Sequence, residues 1–153
     1  MQVREVMQPI VMTIQPGHTC YEAALRMGRS AIHHLPVVNE RGDVEGILTD
    51  RDLRSLLFTV LAGGRADEIV DVDKALQRQR VGDVMSAPAL TTGPDEPLAV
   101  AVRLMTERKI GSVPVVEHNH LVGIVTETDL LRLLFGRRLF SCPEVESLLL
   151  SSA

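Results

Sequence analysis

Twice in 153 residues a threonine stands three places before an aspartate at the end of an aliphatic run: Thr49 and Asp52 in "GILTDRDL" (46–53), Thr126 and Asp129 in "GIVTETDL" (123–130). A hydroxyl and a carboxylate at that spacing can do two things where a strand passes into a helix. They can form a capping box, each satisfying a free backbone N–H of the first turn. Taken singly, this is the commoner use of such residues. They can also bind a ligand, because a helix N-terminus offers unpaired N–H groups and the positive end of a dipole to a phosphate. A carboxylate beside it can then accept hydrogen bonds from a ribose diol, as the acidic residue of dinucleotide folds does. Gly46 and Gly123 in the preceding strand let a ligand or another backbone approach closely. Two such sites related by pseudo-symmetry would flank one cleft, which is an arrangement for binding and not for catalysis. Arg51 gives the first motif a cation that can meet a phosphate, where the second carries Glu127 and Thr128.

The elements that must position these motifs are written twice as well. A displacement of 78 residues sets "VREVM" (3–7) on "VGDVM" (81–85), Thr13 on Thr91, Ala23 on Ala101, Met27 on Met105 and "PVV" (36–38) on "PVV" (114–116). Beyond the next turn Gly46 meets Gly123, so the displacement there is 77 and the second copy is one residue shorter. Self-similarity at this scale is the first clue to architecture. In each copy a short extended piece after Thr13 or Thr91 ends in turn residues, and a helix begins. Thr19 and Glu22 have capping-box spacing, and Pro97 suits a first helical turn, where its missing N–H costs nothing. Cys20, Ala23, Ala24 and Met27, matched by Leu98, Ala101, Val102 and Met105, recur at helical spacing and predict one buried stripe.

"LPVV" (35–38) and "VPVV" (113–116) are β-branched and strand-like, with Pro36 and Pro114 expected at a strand start or edge. The turns "NERGD" (39–43) and "EHNH" (117–120) reverse each chain into a hairpin. A second helix follows, with Leu53, Leu56, Leu57 and Val60, or Leu130, Leu133 and Leu134, at helical spacing. Each unit is thus β-α-β-β-α and of marginal size alone, so two copies packed face to face are expected.

Composition narrows the function classes. A chain 45% apolar and 24% charged is that of an ordinary globule, and no apolar run approaches the ~20 residues of a membrane span. Arg4 and Glu5 stand where a signal peptide would need its hydrophobic run, which points to a cytoplasmic protein. The net charge of −4 supplies no general field for nucleic acid. Cys20 and Cys142 are far apart with no ligand-like spacing, so free thiols are expected. His33-His34 and His118-Asn119-His120 invite a metal, but neither cluster has cysteine or carboxylate partners at recognisable ligand spacing. No phosphate-binding loop, dinucleotide fingerprint or nucleophile elbow occurs.

On "VxxVM", the "PVV" strands and both Gly-aliphatic-aliphatic-Thr-x-x-Asp-Leu motifs, the chain resembles a tandem pair of CBS domains, the regulatory module named after cystathionine β-synthase. The resemblance covers residues 1–58 and 81–135 as two repeats, leaving 59–80 as a linker and 136–153 as a tail. It implies an α+β fold of two β-α-β-β-α repeats packed with pseudo-two-fold symmetry. Its inter-repeat clefts would bind AMP, ADP or ATP, or S-adenosylmethionine, as regulatory ligands and not as cofactors. Carried over residue by residue, Asp52 and Asp129 would hold ribose hydroxyls, and Thr49 and Thr126 would help hold ribose or phosphate. The adenine would lie against backbone and apolar groups at Thr13, Ile14 and Ile32, His33, His34, Leu35, and at Thr91, Thr92 and Ile110, Gly111, Ser112, Val113.

The resulting expectation is a stand-alone sensor without catalysis, a homodimer of such pairs, acting on an effector protein the sequence does not name. An interaction scaffold with empty clefts, its Thr-x-x-Asp motifs serving only as caps, is the alternative. In the linker, Gly63-Gly64 ends a helix and weak helical character returns around Ala75 and Leu76. It is longer than a usual connection, which points to a cover for the module's edge or to an oligomer contact, although a plain solvated linker is the commoner case. The apolar groups of the tail, Leu139-Phe140 and Leu148-Leu149-Leu150, are expected to dock on the body or on a second copy.

Overall fold

The computed structural model describes residues 1–63 and 71–138. After a 3₁₀ turn at Val3–Glu5 come α1 (Cys20–Ser30), β1 (His34–Val38), β2 (Val44–Thr49) and α2 (Asp50–Gly63). Then follow α3 (Val72–Arg78), α4 (Val81–Val84), α5 (Leu98–Arg108), β3 (Ser112–Glu117), β4 (His120–Thr126) and α6 (Glu127–Arg138). The fold is α+β, two copies of one unit, each built on an antiparallel hairpin: β1 with β2, and β3 with β4.

The initial strand expected in each copy is reduced to a single parallel bridge, Ile14 to Val37 and Thr92 to Val115. Proline explains its brevity. Ile14 donates to the Pro36 carbonyl at 3.1 Å and accepts from the Val38 N–H at 2.9 Å. The next rung would need an N–H on Pro36, and there is none. Thr92 meets Pro114 and Val116 in the same way. Both prolines therefore sit fully buried in mid-strand, not at a strand start, with their bare nitrogens turned to the side where the ladder stops.

The turns account for the one-residue difference between copies. In the second, His118 and Asn119 both take positive φ (50° and 69°), the signature of a tight two-residue hairpin turn. In the first, the Asn39 side chain accepts from the N–H groups of Arg41 and Asp43, and Gly42 takes φ 86°. The first helix starts as expected: Thr19 Oγ1 accepts from Glu22 N, and Glu22 Oε2 from Thr19 N. Those bonds hold the Glu22 carboxyl below its usual range. Pro97 sits one place earlier than expected, at the N-cap of α5, where an extended ψ of 135° suits it.

Each core takes its last members from the other copy. Val3, with Val6 and Met7 against it, packs among Leu98, Ala101, Met105, Val113, Val115 and Val125 of the second copy. Val81, with Val84 and Met85, packs among Ile14, Cys20, Ala23, Met27, Leu35 and Leu48 of the first. The hydrogen bonds repeat with the same displacement: Val3 N to Glu96 O and Val81 N to His18 O, both 2.9 Å. A fully buried valine contributes about 1.5–3 kcal/mol, so each arm anchors one copy to the other.

The motif glycines make the crossing possible. A Cβ on Gly46 would lie 2.6 Å from Met85 Sδ and 2.8 Å from the Ser86 carbonyl oxygen. One on Gly123 would lie 2.6 Å from Met7 Sδ and 3.1 Å from the Gln8 carbonyl oxygen. Of the two uses open to these glycines, close approach of another backbone is the one observed.

Two of the expected apolar stripes are narrower than their spacing suggests, because Val102 and Leu134 are 41% and 58% exposed while Leu98, Ala101 and Met105 are buried. Within the linker, α3 packs on α1 and α2 and buries Leu76 in the first core. Asp71 caps α3, accepting from Lys74 N at 3.1 Å. The described end of the linker thus packs against the first copy. Residues 64–70 of the linker and 139–153 of the tail, with Cys142, lie outside the described residues. Cys20 is a free thiol, fully buried, which pushes its pKa up to about 11. No helix among the described residues is long and apolar enough to cross a membrane.

Candidate functional site

Both motifs close as capping boxes. Asp52 Oδ2 accepts from Thr49 N (2.8 Å) and Thr49 Oγ1 (2.7 Å), and Asp52 N donates to Thr49 Oγ1 at 3.3 Å. Asp129 Oδ2 accepts from Thr126 N (2.9 Å) and Thr126 Oγ1 (2.6 Å), with the same return bond at 3.3 Å. The first free N–H of each helix is also satisfied. Asp50 N donates to the His33 carbonyl (3.1 Å) and Glu127 N to that of Gly111 (3.0 Å). A threonine at the end of a strand and an aspartate in the first helical turn thus hold each other rigidly.

The motifs open onto two clefts and not onto one. The Asp52 cleft, about 560 Å³, is lined by Thr49, Asp50, Arg51, Asp52 and Arg54 of the first copy and by Ser86, Pro88–Leu90 and Arg108–Ser112 of the second, among others. The Asp129 cleft, about 640 Å³, is lined by Thr126–Asp129 and Arg132 with Gln8, Ile10–Met12 and Ser30–His34 of the first copy, again among others. Both volumes suit a small organic ligand. Each cleft pairs the motif of one copy with the loop before the hairpin of the other. His34 and Gly111 line both clefts, and a Cβ on Gly111 would come within 2.9 Å of the His34 ring. The two sites are therefore neighbours across the pseudo-two-fold.

Of the residues expected around a base, Ile32, His33, His34, Ile110, Gly111 and Ser112 are cleft residues. Thr13, Ile14, Leu35, Thr91, Thr92 and Val113 line neither of these clefts. Ile14, Leu35 and Val113 are fully or almost fully buried core, and Thr92 is buried with its hydroxyl donating to Glu96 Oε2. Strand alternation separates them, since a residue and its neighbour face opposite sides.

Sequence reasoning missed the side chains that the crossing arms and the α5 end deliver, chiefly Gln8, Ser86, Arg108 and Lys109, and Arg54 on α2. Gln8 Nε2 donates to Asp129 Oδ1 at 2.9 Å across 121 residues of chain.

Charge divides the clefts. Arg51, Arg54, Arg108 and Lys109 line the Asp52 cleft against the carboxylates of Asp50 and Asp52. Asp50 is itself paired with Arg54 (3.1 Å) and near His33 Nδ1 (3.4 Å). In the Asp129 cleft Arg132 is, among the described residues, the one arginine or lysine against Glu127 and Asp129. Burial lowers the His34 pKa, opposed by the carboxylates of Asp50, Glu127 and Asp52 and assisted by His33. The Ser112 hydroxyl, in the Asp52 cleft, is buried without a partner among the described residues. Among those residues no group of three or more metal-ligating side chains converges, and His120 instead meets Asp43 at 3.2 Å between the hairpin turns.

Two α+β units that trade arms and enclose paired clefts at their junction define a ligand-binding regulatory module. The chain belongs to the CBS domain family, whose model matches residues 3–59 and 81–136. Among solved structures it is similar to the CBS domain pair of protein MJ0100 in complex with 5′-methylthioadenosine and S-adenosyl-L-methionine. That match has a TM-score of 0.72 and 28% identity, covering 90% of this chain and 98% of that one. It is also similar to CBSX2 in complex with AMP, at a TM-score of 0.72 and 25% identity, covering 88% and 96%. A curated relative, a homoserine O-acetyltransferase of Methanococcoides burtonii, is 35% identical over 133 residues, or 86% of this chain. The chain spans only 24% of that protein's length, and 61% of the next curated relative's.

Proposed function

We propose that the chain is a non-catalytic sensor of adenosine-containing ligands, AMP, ADP or ATP, held in the clefts between its two CBS repeats. The observation that carries this reading is the Asp52 cleft. Asp52 Oδ1 accepts no hydrogen bond among the described residues, while Thr49 fixes the other oxygen. The Ser112 hydroxyl lies in the same cleft without a partner. Asp52 is half-buried, so its free oxygen faces the cleft, whereas the buried Ser112 hydroxyl is of a kind ordinarily satisfied; a ribose diol and an adenine edge would supply partners for both. The ligands named for MJ0100 and CBSX2 all contain adenosine, which supports the same class here.

The four cations of the Asp52 cleft favour more phosphorylated ligands there, with Arg51 at the helix N-terminus nearest the motif. S-adenosylmethionine is the variant of this reading for the Asp129 cleft, where carboxylates outnumber cations beside a sulfonium. The output is differential binding: a ligand that bridges both copies favours one relative arrangement and changes what the surface offers an effector protein. A second copy of the chain would cover the helix faces that expose Phe58 and Leu61 on α2 and Leu131, Leu134 and Phe135 on α6. Phe58 and Phe135 occupy equivalent positions in the repeat, as a symmetric pairing needs.

The intact capping boxes favour one rival, a scaffold whose clefts stay empty. Calorimetric titration with AMP, ADP, ATP and S-adenosylmethionine separates the two. The expected result is saturable binding that Asp52→Asn weakens by about 10- to 100-fold, as loss of hydrogen bonds to a charged group does. Asn caps a helix nearly as well as Asp, so the fold persists in that variant. Absence of heat from all four ligands, with the fold intact, establishes the scaffold.

A further inference from the structure

The two clefts receive the crossing arms in identical fashion. Gln8 N donates to Ile124 O (2.8 Å) and Ile124 N to Gln8 O (3.0 Å). Ser86 N donates to Ile47 O (2.9 Å) and Ile47 N to Ser86 O (3.0 Å). Gln8 and Ser86 are thus the same position of the repeat, each pinned by its backbone beside a motif carboxylate. Their side chains differ in reach. The Gln8 carboxamide extends to Asp129 Oδ1, whereas Ser86 makes no bond to Asp52, whose Oδ1 stays open. Asp129 is only 6% exposed, with Thr126 on one oxygen and Gln8 on the other.

We propose that Gln8 is a built-in competitor for the Asp129 cleft: its carboxamide occupies the acceptor that a ribose diol would use, so the clefts fill in order, the Asp52 cleft first. This rests on the reading that both motif carboxylates accept ribose hydroxyls. A carboxylate is an acceptor only and Gln8 supplies a neutral donor, so ligand and Gln8 offer Asp129 the same kind of bond. Binding there exchanges one such bond for another. Binding at Asp52 displaces only water from an oxygen that has no protein partner among the described residues. Because the Gln8 backbone is fixed to Ile124, release requires only rotation of the side chain, and the arm stays in place.

The test uses AMP as probe and the full chain. An Asp52→Asn background leaves the Asp129 cleft as the high-affinity candidate, and Gln8→Ser is introduced into it, copying the residue of the other cleft. Gln8→Ser is expected to raise AMP affinity about tenfold, the scale of one hydrogen bond to a charged group. In the wild-type background, Ser86→Gln is expected to lower affinity at the Asp52 cleft. Unchanged or weaker binding on Gln8→Ser overturns the proposal, because Gln8 is then a bystander or a ligand contact. If the Asp52 cleft binds AMP and Gln8→Ser gives no gain, only this inference falls. If no variant takes up AMP while circular dichroism shows each folded, the adenosine reading falls and takes this proposal with it. The latch has a ligand-free readout too: the Gln8 side-chain amide resonances should stand apart from those of exposed glutamines and move towards them as AMP fills the Asp129 cleft. Resonances of Gln8 indistinguishable from exposed glutamines before ligand is added overturn the latch itself.

Discussion

The Asp52 and Asp129 clefts share a scaffold bond for bond. In both, a threonine and an aspartate close the helix start, a loop carbonyl caps the first N–H, and an arm of the other copy crosses a motif glycine. They part at a few side chains. Among the described residues, one cleft has four arginines and lysines, an open Asp52 oxygen and an orphaned Ser112 hydroxyl; the other has Arg132 alone and a glutamine on its aspartate. Duplication thus preserved the backbone geometry that builds a site, while the side chains that fill it diverged. On the proposed function, such a pair would respond to two ligands, or to one ligand at two concentrations.

The shared scaffold can be broken unequally at its glycines. Gly46→Ala places a methyl group 2.8 Å from the Ser86 backbone oxygen, which cannot move without shifting the arm. At Gly123 the backbone contact is 3.1 Å, and the nearest atom is the movable Met7 Sδ. Urea denaturation should show Gly46→Ala destabilised by about 1–3 kcal/mol, the range for overpacking, and Gly123→Ala at or below the lower end. Equal losses would mean that the two crossings are equally tight.

The charge difference can be sharpened with Arg51→Gln and Lys109→Gln. Each should weaken ATP at the Asp52 cleft by up to about fivefold, the scale of a solvent-exposed ion pair, and AMP by less. Raising the salt concentration should shrink the ATP effect. An equal loss for AMP and ATP would place these side chains away from the outer phosphates.

The smallest effect belongs to His34, which the clefts share. Its folded pKa lies below the ordinary value, chiefly through burial, so the folded state holds fewer protons than the unfolded chain just below about pH 6.5. Its contribution is complete above that pH and is lost as pH falls through the lowered folded value. The denaturation midpoint should fall with pH in that window, and His34→Gln should flatten the slope. A slope that persists in the variant would assign it to another group.

The repeat, the hairpins, the first capping box and the α+β class were legible because each rests on local chemistry: period, turn residues, caps. The crossing was not. Val3 and Val81 have the same spacing to either core, and no local pattern says which core they enter. Gly46 and Gly123 carried the only hint, as places where a backbone or a ligand could come close. Of the side chains expected around a base, Ile32–His34 and Ile110–Ser112 reach a cleft, while strand alternation sends Leu35 and Val113 inward. Gln8 was invisible for another reason. A polar residue after an arm reads as solvated, and its partner lies 121 residues on. Helical spacing likewise placed Val102 and Leu134 near an apolar stripe without saying how wide a surface would cover it.

The traded arms also impose a calendar on a chain made from its N-terminus at about 5–20 residues per second. The first core can close once Val81–Met85 have left the ribosome. Val3 must wait for Val113, Val115 and Val125, which follow it by at least 110 residues of chain. Until then the arm that carries Val3 has no seat, and the second core is completed only after β4 has been made. Closing so long a loop is slow relative to local folding, so the arrival of Val3 would be the event that fastens two half-built units into one.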